Sequence, residues 1–215
     1  MMQNYKKRMF TSFFLFLLIY LIYNFNLILI YSLIVLGTLS ILEFLQITGK
    51  IIKKKFYYLI INFLFIFYIS IFCILFGIFN NFLQLKIILF SLLVGCAASD
   101  IGGYIFGKIF KGPKLTKISP NKTISGSFGA LLFSILIIKI SIFYFTGSFN
   151  LKLIPVAIVT SASCQLGDLF FSFLKRKAKI KDTGNFFPGH GGVLDRLDGI
   201  LLGVPIGYLS LVIFI

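Results

Sequence analysis

The sequence predicts an all-α, polytopic integral membrane protein of about seven transmembrane helices, and three observations carry that reading. First, the 215 residues are 59% hydrophobic with a mean hydropathy of +1.01, and 28 Phe and 10 Tyr supply more aromatic surface than a water-soluble globule needs. Second, apolar runs near the length that a bilayer core about 30 Å thick demands, about 20 residues, recur along the chain. Third, charge is scarce and lopsided, with 21 Lys and Arg against 6 Asp and Glu for a formal net charge of +15. The basic residues punctuate apolar runs instead of lining polar, groove-facing elements, so the partner they imply is a bilayer and not a nucleic acid.

Seven apolar runs bounded by charge or turn residues give the expected spans: Met9 to Tyr23, Leu27 to Thr48, Phe56 to Phe79, Phe82 to Phe106, Ile124 to Phe145, Leu153 to Leu174 and Ile200 to Ile215. Lys6, Lys7 and Arg8 before the first run resemble a signal peptide, but Tyr23-Asn24-Phe25-Asn26 follows in place of a small-residue cleavage site, so an uncleaved span is expected. The Asn24-Phe25-Asn26 turn also suits a tight re-entrant hairpin.

Segments 1–8, 49–55, 107–123 and 175–199 hold 18 of the 21 basic residues. By the positive-inside rule, the N-terminus and these four segments face the cytoplasm, and seven spans leave the C-terminus outside. There is no internal repeat and no polar stretch long enough for a separate soluble domain, so 1–215 reads as one integral membrane domain. Cys73, Cys96 and Cys164 lie inside apolar runs without paired spacing and read as small core residues.

The six acids are the more discriminating feature. A carboxylate in a membrane helix costs at least ~2.5 kcal/mol, so each is a candidate functional residue. Glu43 ends the second span, where it reads as an interfacial acid beside the Lys50 to Lys55 cluster, with a distant role in a site as the alternative. Asp100 lies among small residues, Ala97-Ala98-Ser99-Asp100-Ile101-Gly102-Gly103, that let helices approach closely. The loop that follows carries Lys117, Ser119, Asn121, Lys122, Thr123 and Ser125. Cations, hydroxyls and an amide of this kind cradle phosphate at a helix N-terminus. The loop equally serves as a positive-inside anchor, and it is not a Walker A motif.

In the sixth span Asp168, Ser172, Lys175 and Arg176 share one helical face. A core Asp satisfied by a nearby Lys is the plainer reading. The segment after it, KAKIKDTGNFFPGHGGVLDRLDG, sets the only histidine, His190, among Gly189, Gly191 and Gly192, which permit close backbone contact with a ligand. Asp195 and Asp198 follow at i and i+3, a spacing that puts both on one face and lets them meet Asp168 across a helix interface. Three carboxylates without further His or Cys favour a hard cation such as Mg²⁺ over zinc. With many Lys and Arg and no nucleophile dyad, phosphoryl or nucleotidyl transfer is the expected chemistry. His190 then serves either as a general base or as a phosphate-binding loop residue.

The run SFLKRKAKIKDTGNFFPGHGGVLDRLD, Ser172 to Asp198, resembles the signature of the bacterial phosphatidate cytidylyltransferases, the CDP-diacylglycerol synthases. Asp100-Ile-Gly-Gly-Tyr104, Gly107-Lys108 and Ser119-Pro120-Asn121-Lys122-Thr123 resemble earlier motifs of that family in the same order, and Glu43 resembles an acid near its second helix. The resemblance runs from about residue 88 to the end, making 88–215 the catalytic helices and loops and 1–87 N-terminal helices. One departure is Phe171, where the family usually carries an acid just before the serine.

The resemblance implies transfer of CMP from CTP to phosphatidic acid, Mg²⁺-dependent, at the cytoplasmic face of a bacterial inner membrane. Asp168, Asp195 and Asp198 become the expected metal ligands, and a monovalent cation could join the Mg²⁺. Lys175, Arg176, Lys181 and Arg196 would neutralise phosphates, Ser172, His190, Gly191 and Gly192 would contact substrate, and Asp100, Ser119 and Lys122 would complete the cavity. A homodimer is compatible with such a chain. The rival expectations are a CTP-dependent polyprenol or phytol kinase and a cation-coupled transporter.

Overall fold

The computed structural model describes residues 17–116, 118–120, 122–148, 150–184, 186 and 191–214. Among them, six helices are long and apolar enough to cross a membrane: α1 (Asn26–Ile51), α2 (Lys55–Asn80), α3 (Leu83–Phe110), α4 (Ile124–Thr146), α5 (Leu153–Lys177) and α6 (Leu194–Phe214). Residues 17–24 are also helical. Most of the expected Met9 to Tyr23 span lies outside the described residues. The fold class is as predicted, a helical multi-pass membrane protein. Several helices run past their apolar runs, α3 to Phe110 and α5 to Lys177, and α6 starts earliest relative to its run, at Leu194, where Glu43 accepts the first N–H groups as described below.

The chain divides into two compact units, one formed by the described part of Met1–Asn80 with Leu174–Leu197, the other by Asn81–Phe173 with Asp198–Ile215. In the first, α1 and α2 form an antiparallel hairpin. Its two ends are joined by polar contacts, Thr48 Oγ1 donating to Asn62 Oδ1 and Asn80 Nδ2 donating to Asn26 Oδ1, each at 2.8 Å, while Asn80 Oδ1 is buried without a hydrogen-bond partner among the described residues. Between them Phe44 stacks on Phe65 at 3.7 Å. Phe56, Phe63, Phe67 and Ile74 of α2 point outward, as a lipid-facing surface requires.

In the second unit small residues set the packing. Gly102 and Gly103 of α3 lie against Gly129 and Gly126 of α4, and α4 is N-capped by Thr123, whose Oγ1 accepts from Gly126 N at 3.1 Å. Along α6, Gly199, Gly203 and Gly207 recur every four residues and face Cys164 and Thr160 of α5, with Cys96 and Leu92 of α3 alongside. Without a strong hydrophobic drive between helices in lipid, such close approach is what generates contact area. Hydroxyl pairs add to it, Ser99 with Ser161 and Ser91 with Ser141, each at 2.8 Å.

Candidate functional site

In the second unit, α3 ends at Lys111 in a left-handed conformation, φ 43°, and the chain turns back at once. Leu115 N donates to Lys122 O at 2.8 Å, Lys122 N to Ser119 O at 3.0 Å and Ile124 N to Pro113 O at 2.9 Å. This small hairpin, with Ser125 Oγ accepting from Gly112 N, delivers the Lys122 side chain to Asp168 of α5, Nζ to Oδ2 at 2.7 Å. Both side chains keep partial exposure, 29% and 20%. Lys117 and Asn121 lie outside the described residues.

The other Asp168 oxygen borders Gly199, where an added side chain would lie 3.2 Å from Oδ1. Asp198, next to that glycine, caps its N–H through Oδ1 at 3.0 Å. Gly167 allows this crossing, because any side chain there would collide with the Asp198 carbonyl. Two of the expected carboxylates, Asp168 and Asp198, are thus gathered around one point of the α5–α6 crossing. Asp100 is exposed on α3, Ser119 is half-buried within the hairpin and Ser172 is half-buried on α5.

The first unit contains the segment that links the end of α5 to the start of α6. It leaves α5 through a left-handed turn at Lys179, φ 57°, with Ile180 N donating to Lys175 O. Lys175 and Asp195 pair at 2.7 Å, Nζ to Oδ1, with side-chain exposures of 12% and 5%. The second oxygen of Asp195 receives Thr183 N at 2.8 Å and Gly192 N at 3.0 Å, with Thr183 Oγ1 at 3.1 Å. Gly191 has φ 86°, and a side chain on it would run into Asp195 Oδ2, so glycine is required there for conformation and for space.

Glu43 closes the same segment from α1. It is buried, with 7% exposure, and accepts Val193 N at 2.9 Å, Leu194 N at 2.8 Å and the Thr183 hydroxyl at 2.5 Å. A carboxylate on the first free N–H groups of a helix is favourable both as hydrogen bonding and with the helix dipole. The reading of Glu43 as an interfacial acid beside Lys50 to Lys55 is therefore corrected: its partners are the α6 N-terminus and Thr183. The single Thr183 hydroxyl hydrogen is shared between Glu43 and Asp195, a junction that sequence reasoning did not single out.

Gly192, expected by resemblance to contact substrate, donates its N–H to Asp195. Gly189 and His190 lie outside the described residues. Arg176, Lys181 and Arg196 are exposed, as phosphate-facing cations need to be. Phe171, at the position where an acid was expected by resemblance, is buried at 4% exposure and packs edge-on against Phe170.

Carboxylate oxygens are the donors hard cations take, and Asp168 with Asp198 supplies them at one place with partial access, which fits Mg²⁺. Asp195 fits less readily, since four protein donors already occupy its oxygens. Among the described residues no three His, Cys, Asp or Glu side chains are grouped as metal ligands.

The model of the cytidylyltransferase family matches residues 1–214. Among similar proteins, a phosphatidate cytidylyltransferase of Helicobacter pylori strain J99 is 41% identical over 130 residues, covering 60% of this chain and 48% of that protein. One from a second Helicobacter pylori strain is 40% identical over 142 residues, 66% of this chain and 52% of the relative. One from Staphylococcus epidermidis is 44% identical over 124 residues, 57% and 47% respectively. The chain spans about half the length of these relatives.

Proposed function

Because the chain belongs to the cytidylyltransferase family, we propose that it transfers CMP from CTP to phosphatidic acid, yielding CDP-diacylglycerol and pyrophosphate. A phosphate oxygen of the lipid attacks the α-phosphorus of CTP, a new P–O bond forms, the bond to the β-phosphate oxygen breaks, and pyrophosphate leaves. The attacking oxygen is already anionic, so neither a covalent enzyme intermediate nor a strong base is needed.

The observation that carries this reading is the pair of lysine–carboxylate contacts, Lys122 with Asp168 and Lys175 with Asp195, each 2.7 Å, formed by the segments that bear the family-like motifs. Each sets a lysine beside a carboxylate, and charged groups of both signs suit polyanionic substrates that must be bound, aligned and released. Asp168 and Asp198 would hold Mg²⁺. Bound there, the ion would supply charge neutralisation at the reacting phosphate and the departing pyrophosphate.

The exposed Arg176, Lys181 and Arg196 attract the triphosphate of CTP. Asp195 keeps Lys175 extended and fixes Thr183 and Gly192, so that the basic residues flanking this segment are presented in one arrangement. The protein is proposed to lie in a bacterial inner membrane with residues 111–123 and 178–193 on the cytoplasmic side, where soluble nucleotide meets lipid.

The test is transfer from labelled CTP to phosphatidic acid in mixed micelles with Mg²⁺, using purified full-length chain. Label in the α-phosphate should enter the lipid and γ-label should leave as pyrophosphate. Entry of γ-label into a lipid alcohol would mark a kinase instead, and no Mg²⁺-dependent lipid product would overturn the proposal.

A further inference from the structure

We propose that Glu43 is a positioning residue for CTP use, acting through the segment it clamps; this rests on the cytidylyltransferase reading above. Glu43 stands 140 residues before Thr183 in sequence, yet both its oxygens are committed to one stretch of chain: Oε1 to Val193 N, Oε2 to Leu194 N and to the Thr183 hydroxyl. Those contacts fall on both sides of Gly191 and Gly192 along the sequence, and Thr183 hands the restraint on to Asp195 through both its N–H and its hydroxyl. Asp195 in turn holds Lys175. Glu43 is thus a buried anchor for the backbone from which Lys181 and Arg196 reach solvent, while it touches no exposed surface itself.

A carboxylate is required at this place because all three partners are donors. An amide of the same size would set an N–H₂ group against an N–H or the hydroxyl, and a buried donor would lose its acceptor.

The experiment uses purified full-length protein, with Glu43→Gln, Glu43→Asp and Thr183→Val compared with the parent. Glu43→Gln should raise the KM for CTP about tenfold and leave the KM for phosphatidic acid within about twofold, with Glu43→Asp recovering part of the loss. A mere loss of folded protein lowers the apparent kcat and moves neither KM. Hydrogen exchange at the Val193 and Leu194 amides should quicken in Glu43→Gln.

Parental CTP KM and parental exchange in that variant overturn the proposal. If Glu43→Gln does not accumulate, Thr183→Val decides by the same two readouts: a raised CTP KM with faster exchange supports the anchor, and no change in either overturns it. A parent without cytidylyltransferase activity overturns the functional reading alone. The exchange comparison then judges the clamp by itself, unchanged rates removing it and faster rates retaining it.

Discussion

Lys122 reaches out of a short hairpin to bond Asp168 on α5, Nζ to Oδ2 at 2.7 Å, and so ties the loop after α3 to the same carboxylate that borders Gly199. Replacing Asp168 by Asn keeps the shape and removes the charge. Transfer activity should fall at least about 100-fold, the scale on which lost charge stabilisation acts. Lys122→Ala should cost no more than about 1 kcal/mol of stability, because the pair is partly exposed, while lowering activity about tenfold or more. Thermal melting in detergent beside the labelled-CTP assay checks both.

The Lys175–Asp195 pair is much less exposed, and breaking it from one side leaves a buried charge without its partner. Lys175→Met alone should lower stability by about 3 kcal/mol or more. Combining it with Asp195→Asn should restore much of that stability and none of the activity. A double-mutant cycle with melting and turnover as separate readouts separates the two effects.

Chelation offers an independent check on the carboxylates. Excess EDTA should abolish transfer, and added Mg²⁺ should restore it. In Asp198→Asn the Mg²⁺ concentration for half-maximal rate should rise about tenfold or more, and an unchanged Mg²⁺ dependence would remove Asp198 from the ion's ligands.

Glycines in this protein are not equivalent. At Gly203 an added Cβ would meet Cys96 Sγ at 2.7 Å and Cys164 at 3.1 Å, whereas at Gly77 it would meet nothing within 4 Å. Gly203→Ala should therefore destabilise by about 1–3 kcal/mol through overpacking. Gly77→Ala should be neutral or stabilising by up to about 1 kcal/mol through helix propensity. Unfolding in detergent mixtures ranks the two variants.

Topology follows from the antiparallel α3–α4 pair, whose ends carry residues 111–123 and residues 147–152. Single cysteines at Pro113 and at Gly147, in a chain with Cys73, Cys96 and Cys164 replaced, should be labelled by a membrane-impermeant maleimide from opposite faces. Pro113→Cys is expected to react only from the cytoplasmic side.

The helices could be read from sequence because lipid imposes a length and a composition on each span, and the runs from Leu27 onward came close to their final bounds. The start of α6 could not. Leu194-Asp-Arg-Leu-Asp is polar, and its helical turn depends on acceptors supplied by Glu43, which no local pattern announces. Asp168, Asp195 and Asp198 were legible as candidates because acids are scarce in this chain and the last two stand at i and i+3. The meeting of Thr183 with Glu43 was not, since Thr183 is unremarkable among its neighbours and 140 residues separate the two. For Glu43 the hints were its scarcity, as the sole acid in α1, and its likeness to an acid near the family's second helix, which left a role in a site open.

Glu43 and Asp195 are turned inward, each saturated by donors of the protein itself. Around the segment they hold, the outward-facing charges are Arg176, Lys177, Lys179, Lys181 and Arg196 against Asp182. Asp195 is hidden together with its partner Lys175, so the exposed charges of this stretch are five cations against one acid, and a polyanion approaching through water is drawn by that field before any contact forms. Capture of the nucleotide should accordingly slow as ionic strength rises and counterions shorten the reach of that field.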